Sequence, residues 1–240
     1  ATEYGWNHRP YISADFPGAC RSYVEEKTGM HFAYFQGACG NVSPYSLIRT
    51  EEIARESEVY ARFLTNAVMP GLRKMTPVEP ALLKTRQKVF LADPIPRDLE
   101  REEAAEKVYK YWTESHDWIR SFYFGEPLGI NNPFTADALV KRKDLPEKLP
   151  IEMDVITLGE LAFIAAPNAL FDTFSVELEE KSPYKKLITL GLANGYQGYL
   201  PNREAFEFTC IEAECALTAE GTGEEMTQQY LQMLQELKEN

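Results

Sequence analysis

The sequence lacks most of the short motifs that identify a particular chemistry. Its 240 residues contain no H-E-x-x-H zinc motif, no G-x-S-x-G, no Walker loop and no G-x-G-x-x-G. The three histidines, His8, His31 and His116, have no metal-ligand spacing. An enzyme made from this chain alone would therefore lack the usual general base.

Cysteine is also scarce. The four cysteines, Cys20, Cys39, Cys210 and Cys215, are too few and too scattered for a disulfide scaffold, and none belongs to a C-x-x-C pair. Cys210 and Cys215 could bridge across a loop, but reduced cysteines are the preferred interpretation. The cysteines therefore indicate neither a disulfide-rich fold nor a zinc ribbon.

Long apolar runs and excess positive charge are absent as well. No stretch of about 18 apolar residues occurs, which excludes a transmembrane helix. The net charge of −12 argues against a nucleic-acid partner, which needs a basic face, and against purely electrostatic adhesion to an anionic membrane. The hydrophobic content of 44% and charged content of 26% are ordinary for a globular protein with a substantial core.

Hydrophobic periodicity predicts helices and strands interspersed along the chain, and hence a mixed α/β or α+β fold. A hairpin turning at Gly159 is the clearest element, and Thr222 with Glu225 matches a helix capping box. The predicted helices are 19–28, 51–74 (broken by Pro70), 99–123 (capped by Asp98), 167–181 and 222–238. The predicted strands are 31–35, 82–92, 151–157, 161–166 and 187–192, with 124–149 irregular or briefly helical.

The segment from Gly40 to Pro44 is the strongest local candidate for a site. The hydrophobic residues 31–35 precede it, and Ser43 falls in the tight connection that follows. Glycine lets a backbone turn sharply and approach a ligand closely, so this arrangement could deliver a reactive hydroxyl. The same Gly, Asn, Ser and Pro residues also form purely structural turns, and local chemistry alone favours that interpretation.

Three glycine-punctuated segments, taken together, resemble the neutral ceramidase family. They are residues 12–18, residues 40–44 and residues 191–199, the last followed by Arg203-Glu204-Ala205-Phe206. The resemblance covers nearly the whole chain, although residues 50–150 carry it only weakly. It implies mixed sheet layers flanked by helices. Residues 1–240 would then form a single domain, or the C-terminal half of a catalytic domain that begins earlier in a larger protein.

The resemblance also implies a chemistry. Members of the family are zinc-dependent amidases that cleave the N-acyl bond of ceramide, and two histidines, a glutamate and a tyrosine hold their zinc. Such a metal polarises the amide carbonyl and lowers the pKa of bound water toward about 7. Matched to this family, Ser43 takes the place of the active-site serine and Tyr199 that of the ligand tyrosine. Gly40, Asn41 and Asp15 would line the cleft.

The sequence departs from the family pattern at the metal site. The family has Pro-Gly-Glu where this chain has Pro167-Asn168-Ala169, so a methyl group replaces the ligand carboxylate. A second family tyrosine falls on Ile211, and His8 stands too late in the pattern to serve as a ligand. Catalytic zinc normally keeps three protein ligands plus water. We therefore expect zinc binding to be weak or absent.

Three interpretations of function remain open at this stage. The chain could be part of an amidase acting on an N-acylated lipid or another small-molecule amide, or a non-catalytic relative that binds a ligand or partner. It could also be an α/β domain whose glycine turns, and the Asp15 helix start, are structural. The resemblance is compatible with secretion or membrane association, while the sequence leaves the compartment, the oligomeric state and the substrate undetermined.

Overall fold

The computed structural model describes residues 12–42, 56–79, 81–208 and 210–239. The chain divides into two compact units. The first contains the described residues 12–35 and 56–79, and the second contains residues 36–42 together with the described residues from 81 onward.

The first unit is helical. Helix α1, Asp15–Thr28, ends at Gly29, whose φ of 68° is the left-handed conformation that glycine adopts without strain. Helix α2, Glu56–Leu72, packs against α1. Cys20 and Val24 of α1 and Ala61 of α2 form the buried centre of this unit. The predicted helix at 19–28 is thus confirmed, with a start four residues earlier.

Two sequence predictions in this unit are wrong. Residues 31–35 belong to no strand. The backbone there does not pair with another strand, and Phe32 N instead donates a hydrogen bond to the Glu25 carboxylate at 3.0 Å. Pro70 does not end α2 either, since the helix continues to Leu72. The missing N–H of a proline so close to a helix end disrupts little of the helix. The predicted start of this helix, residues 51–55, lies outside the described residues.

The second unit is built on a four-stranded mixed sheet. The strands are β1 Leu83–Ala92, β2 Leu149–Leu158, β3 Leu161–Ala165 and β5 Lys186–Leu190. Their order in the sheet is β1-β2-β3-β5, with antiparallel pairing of β1 with β2 and of β2 with β3, and parallel pairing of β3 with β5. Gly159, at φ 59°, makes the predicted hairpin turn between β2 and β3. The four strand predictions in this region, and the mixed α/β class, are confirmed.

Two helices cover one face of this sheet. Helix α6, Asp172–Lys181, contacts β5, while helix α9, Thr222–Glu239, contacts β1 and β2. Alternate residues of β2 point into the resulting core, as period-two alternation requires. The predicted buried stripe of α9 is confirmed, and its members are Met226, Tyr230, Met233, Leu234 and Leu237.

The helix predicted at 99–123 is two helices. Helix α3, Leu99–Ser115, ends at His116, which adopts a left-handed φ of 53°, and helix α4, Trp118–Gly125, starts anew. Asp117 accepts a hydrogen bond from Arg120 N and caps α4. The stretch predicted to be irregular or briefly helical contains α5, Pro133–Lys141. The left-handed His116 and the cap at Asp117 therefore interrupt a hydrophobic pattern that predicted one continuous helix.

The connection after β3 also differs from the prediction. Pro167 does not begin a helix, because Ala169–Leu170 forms the short strand β4, which pairs in parallel with β6, Tyr199–Leu200. Two short helices follow, α7 Arg203–Glu207 and α8 Ile211–Glu214. The capping box at Thr222 is wrong too, since its hydroxyl donates to Ala219 O and Glu225 N donates to Gly221 O.

Across the described ranges, none of the helices is both long and apolar enough to cross a membrane.

Candidate functional site

The turn at Gly40 packs directly on β4. Gly40 N donates to Leu170 O at 2.7 Å, and a Cβ on Gly40 would lie 2.3 Å from Ala169 O and 2.9 Å from the Phe171 ring. Glycine is required here by close approach rather than by a positive φ. The segment that the sequence identified therefore contacts the strand that carries Ala169.

Asn41 joins the same turn to helix α6. Its Oδ1 accepts from Asp172 N at 2.8 Å, and its Nδ2 donates to the Asp172 carboxylate at 2.7 Å. Phe171, the residue at the N-cap position of α6, has no polar side-chain atom that could accept a hydrogen bond from the helix. Asn41 thus caps α6 from a distant part of the chain, which gives this candidate ligand-binding residue a structural role.

The two-stranded ladder places Ala169 opposite Tyr199. Residues 169 and 199 are aligned in the register, and so are residues 170 and 200. Hydrogen bonds from Ala169 N to Gly198 O at 2.9 Å and from Phe171 N to Leu200 O at 3.2 Å hold this alignment. Ala169 is buried and Tyr199 half-buried. The two positions that the resemblance assigned to metal ligands are therefore neighbours.

Asn168 holds the loop that leads into β6, a role that the sequence did not predict. Asn168 is fully buried, and its Nδ2 donates to Gln197 O at 3.1 Å, while its backbone O accepts from Leu192 N at 3.2 Å. Gln197 in turn donates through Nε2 to Pro150 O at 2.9 Å. These hydrogen bonds hold the loop, which contains Tyr196 and ends at Tyr199, against β4 and the start of β2.

The ionisable groups around Tyr199 favour its neutral form. Burial, followed by the nearby Tyr196 and Glu212, raises the pKa of Tyr199 to about 12. Burial likewise raises the pKa of the Cys215 thiol to about 11 and raises the pKa of Cys39. A reactive cysteine needs a lowered pKa, so neither thiol has the character of an activated nucleophile.

The structure brings part of the predicted site together. Gly40, Asn41, Ala169 and Tyr199 all belong to the second unit and meet around the β4–β6 ladder. Asp15 belongs to the first unit, where it is the first residue of α1, with φ 50° and its N donating to Ser13 Oγ.

Ser43 lies outside the described residues, so its catalytic role stays a prediction, as do the roles of the other site residues.

Helix α8 and the residues after it also belong to the surroundings of Tyr199. Helix α8 contacts β6, and Glu212 and Cys215 contribute to the raised pKa of Tyr199. The carboxylate and the thiol lie more than ten residues beyond Tyr199 and follow no known ligand spacing. No signal in the sequence alone could have assigned them to this site.

The described side chains do not fit the zinc site that the resemblance implies. Ala169 has no donor atom, and the Tyr199 phenol, with its pKa of about 12, is far from the phenolate that binds a metal. Within the described part of the chain, no three His, Cys, Asp or Glu side chains are grouped so that they could hold a metal ion. Weak or absent zinc binding stays a prediction, and we derive no chemical step through zinc.

Comparison with known proteins identifies the fold. No family model and no curated protein matches the chain. Among solved structures, it is similar to a ceramidase complexed with C2, with a TM-score of 0.56 and 18% identity over 97% of this chain and 43% of that one. It is also similar to neutral ceramidase from Pseudomonas aeruginosa, with a TM-score of 0.54 and 19% identity over 97% of this chain and 42% of that one.

The resemblance seen in the sequence is therefore confirmed at the level of fold. The chain spans less than half the length of the ceramidases it matches.

Proposed function

We propose that this chain forms part of a ceramidase-like cleft that binds an N-acylated small molecule or lipid, and that zinc-dependent hydrolysis by its own residues is weak or absent. The observation that carries the proposal is the register of β4 and β6, in which a methyl group lies opposite Tyr199. The resemblance calls for a carboxylate at this position. The chain would then act as a ligand-binding relative of an amidase.

Charge explains why the replacement matters. A carboxylate ligand supplies one negative charge against the two positive charges of zinc and favours the dication in a half-buried site. With Ala169 in its place, the nearest phenol has a pKa of about 12 and has to lose a proton before it can bind the metal. Both effects oppose zinc, and they leave residues 169 and 199 without charge, which suits contact with a neutral amide.

The second candidate function is amide hydrolysis itself. The resemblance favours it, because it assigns the active-site serine of the family to Ser43 and a place beside that serine to Gly40, whose bond to Leu170 holds it against β4. The ceramidase-like fold agrees with either candidate. In this alternative, ligands from elsewhere would complete the site, and Ser43 would be the catalytic hydroxyl.

Binding of a fluorescent short-chain ceramide tests the proposal, with zinc content measured in parallel. We expect saturable binding that Tyr199→Phe weakens, whereas Tyr123→Phe, which changes an exposed tyrosine on α4, leaves it unchanged. We also expect clearly less than one zinc per chain and no release of fatty acid.

Stoichiometric zinc with fatty-acid release that Ser43→Ala abolishes would establish the hydrolase alternative. Absence of saturable binding would overturn both candidates for ceramide-like ligands.

A further inference from the structure

Helices α3, α4 and α5 form a module with a small core of its own. Its buried residues belong to a cluster separate from the one beneath the main sheet. Helix α8 is in contact both with α5 of this module and with β6. It therefore connects the module to the strand that carries Tyr199. The buried residues of the module are Ala105, Val108, Ile130, Ala136 and Leu139.

The connection depends on the side chain of Glu214, the last residue of α8. Arg101 of α3 donates through Nη2 to Glu214 Oε1 at 2.5 Å, and Thr135 of α5 donates through Oγ1 to Glu214 Oε2 at 3.1 Å. Both carboxylate oxygens are therefore engaged by different helices of the module. The Glu214 side chain is only 9% exposed, so these bonds are weakly screened by solvent.

A buried arginine holds the backbone of the same segment. Arg142, just after α5, is 6% exposed and donates through Nη2 to Glu214 O at 2.6 Å and to Ala216 O at 3.5 Å. Bonds from a charged donor to buried carbonyls are stronger than neutral ones. The side chain of Glu214 and its main chain are thus both fixed by the module.

The segment that the module holds, α8 with Cys215, lies next to β6. Cys215 N donates to Ile211 O at 2.8 Å, which closes the α8 turn. The Cys215 carbonyl comes within 3.9 Å of the point where a Cβ on Gly198 would lie. Any shift of Glu214 would therefore move Cys215 relative to the residue that immediately precedes Tyr199.

We propose that Glu214 is a positioning residue through which the α3–α5 module holds α8 and Cys215 against β6, so that the module and this wall of the cleft move as one body. The inference rests on the proposed function only in taking Tyr199 as part of the cleft. The side-chain packing itself is a property of the ligand-free protein. Glu214 touches no reacting group and acts through Cys215 and α8.

The test compares two carboxylates of equal burial. Glu102 has the same 9% exposure as Glu214 and pairs with Arg97, but its hydrogen bonds do not reach α8. The protein is labelled with 3-fluorotyrosine, and the Tyr199 fluorine resonance is assigned by its loss in Tyr199→Phe. The rate at which Cys215 reacts with a thiol reagent is measured in parallel by fragment-ion mass spectrometry, which separates it from Cys210. Labelling is followed over a range of pH and compared at equal thiolate fraction, because the Glu214 charge itself raises the pKa of Cys215.

We expect Glu214→Gln to shift the Tyr199 resonance and to accelerate Cys215 labelling about tenfold, the size of effect that follows from losing one charge-assisted hydrogen bond. Glu102→Gln should lower the unfolding midpoint and leave both signals unchanged. Arg101→Gln should act like Glu214→Gln, while Arg101→Lys, which retains the positive charge, should keep the wild-type resonance.

An unchanged resonance and labelling rate in Glu214→Gln, with a stability loss like that of Glu102→Gln, would overturn the inference. Should Glu214→Gln fail to fold, Arg101→Gln and Arg101→Lys provide the same comparison. The measurements need no ligand. A wild-type protein that binds no ceramide would contradict the proposed function, while the fluorine and labelling results would still decide this inference.

Discussion

Ala169 and Tyr199 lie opposite each other in a two-stranded parallel ladder, aligned by hydrogen bonds on both sides of the pair. The pairing brings together two positions that are 30 residues apart in the sequence. A carboxylate at residue 169 would be next to the phenol, whereas the methyl group present offers a metal nothing.

Restoring the carboxylate is the most direct mutation. We expect Ala169→Glu to lower the free energy of unfolding by about 1–3 kcal/mol without zinc, because residue 169 is buried and an unpaired carboxylate there is costly. Acid pH should recover part of that loss, since a protonated carboxyl costs less to bury than a carboxylate. Thermal unfolding at neutral and acid pH measures both effects.

Ala169→Gln is the matched control, with similar size and no charge. An equal loss in both variants at neutral pH, or a loss in Ala169→Glu that persists in acid, would contradict the buried and unpaired environment assigned to residue 169.

The second prediction concerns the close approach at Gly40. We expect Gly40→Ala to destabilise the protein by about 2 kcal/mol, because the new methyl group would lie 2.3 Å from Ala169 O and force the turn away from β4. Gly71→Ala is the control, since a Cβ there meets no atom within 4 Å and alanine suits a helix better. Denaturant unfolding of both variants provides the comparison, and equal stability would exclude the steric argument.

The third prediction concerns the cap that Asn41 supplies to α6. We expect Asn41→Ala to cost about 1 kcal/mol, the usual effect of removing a helix cap. Asn41→Asp keeps the acceptor for Asp172 N but places a second carboxylate beside that of Asp172, so its stability should fall further at neutral pH and recover in acid. If both variants unfold with the wild-type midpoint over this pH range, Asn41 is not the cap.

The fourth prediction follows from the buried tyrosine of α9. Tyr230 is 1% exposed and donates to Ala165 O at 2.7 Å. Burial raises its pKa above the ordinary value of 10.0. The folded state therefore holds the phenolic proton more tightly than the unfolded state. The associated stability is complete below pH 10 and is lost as the pH rises above it.

Tyr230→Phe removes both the hydrogen bond to Ala165 O and the ionisable phenol. At pH 7 we expect it to cost about 1–2 kcal/mol, because the Ala165 carbonyl loses its partner. Above pH 10 the wild type should lose stability by up to about 1.4 kcal/mol per pH unit more steeply than the variant. Urea unfolding at a series of pH values measures this difference, and parallel curves for the two proteins would contradict it.

The sequence predicted the elements whose patterns are local. The strands of the main sheet alternate with period two, the last helix carries an apolar stripe, and Gly159 marks the hairpin. Such elements are recognisable because one face of each is buried along its whole length. Two of the wrong predictions, the strand at 31–35 and the helix start at Pro167, concern segments whose backbone partners come from elsewhere in the chain.

The residues of the candidate site likewise include some that the sequence identified and others that it could not. The glycine-punctuated segments around Gly40 and before Tyr199 could be identified from residue order, and Ala169 from its place in a resemblance. The bonds of Asn168 to Gln197 and of Arg101 to Glu214 could not be identified in this way, because the partners lie 29 and 113 residues apart along the chain. The approach of Glu212 to Tyr199 likewise follows no sequence pattern.

Residue order was enough to predict the mixed α/β fold, and the resemblance to neutral ceramidases predicted that Ala169 stands where a ligand carboxylate is expected. Residue order did not reveal that Ala169 lies opposite Tyr199, that Asn41 caps α6 or that Glu214 binds α8 to α3 and α5. Periodicity shows which face of an element is buried, whereas hydrogen bonds between distant segments depend on where the folded chain brings their donors and acceptors.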